Sequence, residues 1–144
     1  MIELRPTSPS AHGFEDLVRE SLTEGSRMVE RLRANWKSGL NHFDKRGELL
    51  IGAFAEEALV AVCGRNIDPF ADDDGIGRLR HLYVMASLRK QGVGKSLVRF
   101  LVSDAPQFFR AVNVRAPADV FSFYEHLGFS PVLENDTVTH RLYF

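Results

Sequence analysis

The residues best placed to do chemistry stand in one run, Leu82-Tyr83-Val84-Met85-Ala86-Ser87-Leu88-Arg89-Lys90-Gln91-Gly92-Val93-Gly94-Lys95-Ser96, where a basic turn with two glycines joins an apolar segment to an amphipathic one. The first turn of a helix offers unpaired backbone N–H groups and the positive end of its dipole, and glycines let a phosphate approach that backbone. A turn of this kind is an anion cradle; taken alone it is equally a tight turn with solvated Arg89 and Lys90. Two phosphate-binding patterns are excluded. Gly94-Lys95-Ser96 ends like a P-loop, but the first glycine of that motif would fall on Arg89. The dinucleotide pattern G-x-G-x-x-G would need a glycine where Leu97 stands.

Other reactive side chains are less well placed. The single cysteine, Cys63, cannot form an internal disulfide and ends the apolar run Leu59–Cys63. It reads as a small buried hydrophobe suited to a reducing compartment, since a nucleophilic thiol wants a histidine and none lies in its segment. The five histidines show no paired metal spacing, so no metal is expected. Asp72-Asp73-Asp74-Gly75 could attract a cation, yet an acidic run ending in Asp-Gly reads as a solvated turn, and the calcium-loop pattern is not completed downstream. His140 could face an acceptor pocket or stand as an ordinary edge residue.

The elements that must hold these groups follow from spacing. Ile76 to Met85 reads as the strand before the basic turn, and Val93 to Val102 as the helix after it, with Val93, Leu97, Val98 and Leu101 on one stripe. Upstream, Met1–Pro6 alternates as a first strand, and Ser8-Pro9-Ser10 is a helix-start signal. Phe14, Leu17, Val18 and Leu22 then trace a helix ending near Gly25, and Met28, Val29, Leu32, Trp36 and Leu40 a second. Glu48–Ala55 and Ala58–Asn66 form a hairpin across Glu56-Glu57. Downstream come a strand at Phe109–Val114, a helix over Ala118 to Leu127 bracketed by Pro117 and Gly128, and strands at about Phe129–Leu133 and Thr137–Phe144. The order is β-α-α-β-β-β-α-β-α-β-β, a mixed α+β domain over residues 1–144 without repeats or linkers.

Composition narrows the partners. At 144 residues, 44% hydrophobic and 26% charged, the chain has the length and balance of one folded domain. Eighteen basic against nineteen acidic residues give a net charge of -1, which lacks the positive excess of a nucleic-acid binder. Its aliphatic runs fall far short of the ~20 residues of a membrane span, and its first residues lack the pattern of a secretory signal. Neither nucleic acid nor membrane is expected as a partner.

R-x-x-G-x-G, Arg89 through Gly94, after the strand end Leu82-Tyr83-Val84, resembles the acyl-coenzyme A motif of the GNAT superfamily of N-acetyltransferases. Phe123-Tyr124-Glu125-His126-Leu127-Gly128-Phe129 resembles the F-Y-x-x-x-G-F signature of that superfamily, and the element order matches over roughly residues 2 to 144. The resemblance implies a central, mostly antiparallel sheet of six to seven strands flanked by four helices, with acetyl-coenzyme A as co-substrate. It implies that the amides of Arg89, Lys90, Gln91, Gly92, Val93 and Gly94 hold the pyrophosphate, with Arg89 and Lys90 adding charge and Lys95 beside them. Leu82, Tyr83 and Val84 would splay from the Phe109–Val114 strand and pair with the pantetheine arm, the Val84 N–H polarising the thioester carbonyl. Tyr124 would give a proton to the departing thiolate, which a phenol with an ordinary pKa near 10 can do at neutral pH; its other reading is a core aromatic.

The implied activity is transfer of acetyl to a primary amine of a small-molecule or peptide acceptor, by direct attack in a ternary complex, in the cytoplasm and without use of Cys63. A homodimer is compatible with it. Some members carry a glutamate as base six residues before the strand-end valine, where this chain has Arg78. His81 has the right pKa range to serve instead, or is a structural histidine on a half-buried strand; Tyr83 shares its face by alternation. Pro117 stands where many relatives have an asparagine that touches the cofactor arm. These two departures motivate a second reading, a non-catalytic module that binds an acyl-coenzyme A.

Overall fold

Apolar residues at strand spacing and at helix spacing meet on the two faces of one sheet. The computed structural model describes residues 1–144 as β1 (Ile2–Pro6), α1 (Phe14–Thr23), α2 (Met28–Ser38), β2 (Leu49–Ala55), β3 (Ala58–Ile67), β4 (Ile76–Val84), α3 (Val93–Ser103), β5 (Ala111–Val114), α4 (Phe121–His126), β6 (Ser130–Pro131) and β7 (His140–Tyr143). The seven strands lie in the order β1-β2-β3-β4-β5-β7-β6. Every neighbouring pair is antiparallel except β4 and β5. The class, the element order and the four helices are those read from the sequence. No helix is long and apolar enough to cross a membrane.

On one face Phe14, Leu17 and Val18 of α1 and Val29 and Leu32 of α2 pack on Leu59, Val62 and Tyr83 of the sheet. On the other, Val93, Leu97, Val98 and Leu101 of α3 and Tyr124 of α4 cover Ile51, Ala61, Cys63 and Leu79. Burying one such aliphatic side chain contributes roughly 1.5–3 kcal/mol, whereas a missing N-cap costs about 1 kcal/mol. The apolar stripe therefore holds α3 in place although its first turn has no side-chain cap. Its far end is tied by the buried Arg65 of β3, which donates to the carbonyls of Leu101 (2.5 Å) and Gly47 (2.7 Å) and to the Asp104 carboxylate (2.6 Å).

Three boundaries differ from the sequence reading. The N-cap of α1 is Gly13, not the Ser8–Ser10 segment; the Leu59 amide donates to the His12 carbonyl (2.8 Å), so β3 rather than a serine fixes where the helix begins. The helix expected over Ala118 to Leu127 opens as a 3₁₀ turn at Ala118–Val120, and only Phe121–His126 is α-helical. The amides of Leu127 and Phe129 both donate to the Tyr124 carbonyl, which closes the last turn, and Gly128 follows in a left-handed conformation. The last two strands are shorter than expected: Pro131 has no N–H for the ladder, and the Asn135 side chain takes the amides of Thr137 and Val138.

Gly13 has φ +96°, and a Cβ there would lie 2.7 Å from the Leu59 carbonyl oxygen. Left-handed strain and a backbone clash together predict that Gly13→Ala destabilises the fold by about 2–4 kcal/mol, read as a lower urea midpoint at unchanged slope.

Candidate active site

A strand in mid-sheet loses one neighbour partway along its length. β4 pairs with β5 only at Ile76–Ala111, Gly77–Val112 and Arg78–Asn113, while it stays paired with β3 as far as Val84 opposite Ala61. The splay expected at Leu82, Tyr83 and Val84 is present. A bulge marks its start: Val62 faces Tyr83 and Gly64 faces Arg80, so His81 and Leu82 together oppose Cys63, with His81 at φ +62°. The Met85 amide donates to the Val60 carbonyl (2.9 Å). Since N–H groups alternate in direction along a strand, the Val84 amide and carbonyl turn the other way, into the gap.

The basic turn lies at the mouth of this gap. Gly92 caps α3 in the left-handed conformation (φ +86°), and the Ser96 amide bonds the Gly92 carbonyl (3.0 Å). The amides of Val93, Gly94 and Lys95 are first-turn donors without intrahelical acceptors. A Cβ on Gly94 would stand 3.5 Å from Val84 and 3.6 Å from Phe123, so this glycine keeps the space between β4 and α4 narrow but open. Lys90, at φ +63°, and Lys95 are exposed cations beside the amides. The turn fits a diphosphate, and the gap fits a thin polar arm.

Arg89 and Tyr83 are engaged elsewhere. The Arg89 guanidinium grips Glu24 of α1 through two bonds (2.6 and 2.9 Å) and donates Nε to the Val84 carbonyl (3.0 Å). The Tyr83 hydroxyl lies 2.6 Å from both Glu20 and Glu24, donating to one at a time, and Glu20 also accepts the Ala86 amide. Arg89, then Tyr83, holds the Glu24 carboxyl below its usual range, while burial and these carboxylates raise the Tyr83 phenol. Arg89 thus brings a charge that Glu24 already neutralises. The Gln91 side chain turns back to the Ser87 carbonyl (3.2 Å), leaving only the backbone of Gln91 for an anion.

Tyr124 is buried in the α3 core, edge-on to Phe123 and Phe129. Burial raises its pKa, with a further push from Cys63, the residue opposite the bulge. Its hydroxyl therefore keeps its proton at neutral pH. The Cys63 thiol, pushed up to about 12 by burial, is protonated and inert.

The sequence of residues 12–129 matches the acetyltransferase (GNAT) family. The chain belongs to that family. No curated protein matches it by sequence. Among solved structures, a candidate acetyltransferase of Exiguobacterium sp. 255-15 superposes with a TM-score of 0.89 at 24% identity, over 99% of this chain and 93% of that one. Glucosamine-6-phosphate N-acetyltransferase of Arabidopsis thaliana gives 0.70 at 19% identity, over 95% and 97%. PaiA N-acetyltransferase of Thermoplasma acidophilum, in complex with coenzyme A, gives 0.68 at 21%, over 100% and 99%. At these identities the likeness is one of fold.

Within the GNAT fold, several expected site residues sit differently. His81 does not serve as a base: its ring is buried against Phe43, neither nitrogen has a hydrogen-bond partner, and the Met28 backbone approaches without reaching bonding geometry. Burial and then Arg80 push its pKa down to about 3, far below what would draw a proton from an ammonium. His140 is buried on the α4 side, bonded to Glu125 (2.7 Å) and Thr139 (3.0 Å), and braces β7 against α4. Asp73 pairs with Arg110 near the start of β4, at the end of the strand remote from the gap. Arg78, in the glutamate's place, lies on Asp68 and the Thr137 carbonyl. Sequence reasoning missed Glu20 and Glu24; their spacing of four put them on one helix face, but nothing local tied that face to Tyr83 and Arg89.

His81 titrates at 6.5 when unfolded and at about 3 when folded. Between these values the unfolded chain binds the extra proton, so stability falls as pH drops from 6.5 toward 3. His81→Asn, which tolerates a positive φ, is expected to flatten that slope by up to about 1.4 kcal/mol per pH unit, measured by urea unfolding at pH 6, 5 and 4.

Proposed function

We propose that this protein transfers an acetyl group from acetyl-coenzyme A to a primary amine, by direct attack with donor and acceptor bound together. One observation carries the reading: the backbone edge that β4 leaves without β5 beyond Arg78 leads, through a 3₁₀ turn at Ala86–Leu88, to the uncapped first turn of α3. Acetyl-coenzyme A supplies a thioester carbonyl that an amine can attack. The amides of Val93, Gly94 and Lys95, with Lys90 and Lys95, hold its pyrophosphate. The gap-facing backbone of Leu82 and Val84 pairs with the pantetheine arm, while that of Tyr83 between them faces β3, and the Val84 N–H donates to the carbonyl oxygen as negative charge develops there. The amine nitrogen bonds to the carbonyl carbon, the carbon–sulfur bond breaks, and Tyr124 gives its proton to the leaving sulfur. The nitrogen's own proton passes to water, since neither Arg78 nor His81 can take it, and water returns a proton to the Tyr124 oxygen, which restores the phenol. The non-catalytic reading keeps the same cofactor contacts and differs only in lacking thiol release on addition of an amine.

A Cβ at 94 already meets Val84 and Phe123 at 3.5 and 3.6 Å, so a branched side chain there would fill the space in which the arm is proposed to lie. Gly94→Val is expected to abolish acetyl-coenzyme A binding in calorimetry while circular dichroism and melting stay those of a folded protein; unchanged affinity would remove the α3 turn from the site. Tyr124→Phe keeps the ring and removes only the proton, so kcat is expected to fall by about 10²–10⁴-fold, the span of general acid catalysis, with acetyl-coenzyme A affinity little changed. Turnover within a few-fold of the parent protein would leave water as the proton donor.

A further inference from the structure

Around the β4–β5 gap one face of the sheet carries more guanidinium than carboxylate. Leu79 packs on the α3 side, so strand alternation turns Arg78 and Arg80 to the α1–α2 side. Pairing across the strands sets Asn66, Arg78, Asn113 and Arg141 in one row there. The acids within reach are taken. Asp68 accepts from Arg78 (3.4 Å), Asn113 (2.8 Å) and the Phe70 amide (2.9 Å). Glu48 accepts from Asn66 (2.9 Å) and from the amides of Ile67 (2.9 Å) and Lys45 (3.2 Å).

Arg80 stands one step nearer the bulge than Arg78. It is half-buried, it forms no ion pair, and the same is true of pairing for Arg31 of α2 and for Arg115 just past β5. Burial, then Arg78, lowers the Arg80 pKa and Arg31 adds to the effect, while Asp68 and Glu48 oppose it; Arg115 acts in the lowering sense on Arg78. A partly desolvated guanidinium bonded to no acid is an open binding position, since Asp68 and Glu48 nearby are already bonded to other donors: an incoming oxyanion gains charge-assisted, bidentate bonds without displacing a protein partner.

We propose that the acceptor amine carries an oxyanion, carboxylate or phosphate, a few bonds from its nitrogen, and that Arg80, with Arg31 of α2 nearby, receives it on the α1–α2 face beside the β4 bulge. This rests on the acetyl-transfer reading, in which the thioester lies in the β4–β5 gap and Arg80 stands on β4 at the edge of that gap, two residues past the last β5 pair at Arg78. The test is thiol release from acetyl-coenzyme A with four small amines: β-alanine, 2-aminoethyl phosphate, propylamine and 1,3-diaminopropane. At least one anionic amine is expected to exceed both others in kcat/KM by about tenfold or more, and which anion leads separates carboxylate from phosphate. Arg80→Met is expected to bring the anionic-to-neutral ratio to within about threefold of one, and Arg80→Lys to restore part of it. Arg31→Gln, on the helix surface, lowers the same ratio if Arg80→Met does not fold. Equal use of propylamine or the diamine, or a proportional loss on all four amines in Arg80→Met, overturns the proposal.

Inorganic phosphate gives a readout without turnover. It raises the melting temperature of the parent protein, and Arg80→Met removes part of that shift; the α3 turn, untouched by the substitution, contributes equally to both proteins. If acetyl-coenzyme A does not bind and no amine releases thiol, the acetyl-transfer reading falls while the phosphate shift still decides the anion site. A phosphate shift identical in both proteins removes Arg80 as an anion receptor.

Discussion

A strand in the middle of a sheet that loses one neighbour must leave backbone donors and acceptors without partners, and everything functional in this protein is arranged around that loss. Each buried peptide group left unpaired costs roughly 1–3 kcal/mol, so such a gap persists only where water or a ligand can serve it. β5 is four residues long and pairs with β4 at three positions. The rest of β4 is kept in line from its other edge, by β3, and the bulge at His81 and Leu82 resets which residues face which side. The Val84 carbonyl already has a partner in Arg89, whereas the Val84 amide faces the gap.

The charges follow from the same geometry. α3 has no acidic residue and no side-chain cap in its first turn, so its amides and dipole stay available to an anion. The two α1 carboxylates that approach from the other side are absorbed by Tyr83, the Ala86 amide and Arg89. They fix the loop between β4 and α3 without cancelling the positive end of the helix. His81 fills the bulge as a neutral ring, which removes the one imidazole of β4 from proton transfer.

Much of this was legible along the chain. The strand-to-helix turn at Leu82–Ser96, the two motifs, the hairpin across Glu56-Glu57 and the element order are local patterns, set by spacing and by glycine. The boundaries that failed were those where a distant group intervenes: Leu59 on the start of α1, Asn135 on the turn before β7. His81 looked like a base because sequence gives an imidazole its solution pKa, and burial is not a property of sequence position. His140 lay open between an acceptor pocket and an edge until Glu125 was seen beside it.

The sequence by itself determined the class of fold and the glycine-bearing turn before α3, because both depend on periodicity and on which residues permit a left-handed or closely approached backbone. Only the tertiary structure decided which cations are free. Arg89, first residue of the motif, is neutralised by Glu24, sixty-five positions away, Arg78 is held by Asp68, and Arg80 is bonded to no acid. Ion pairing depends on distances of a few ångströms between residues that the chain separates widely, and desolvation depends on what packs above them. Neither quantity is written in the order of the residues.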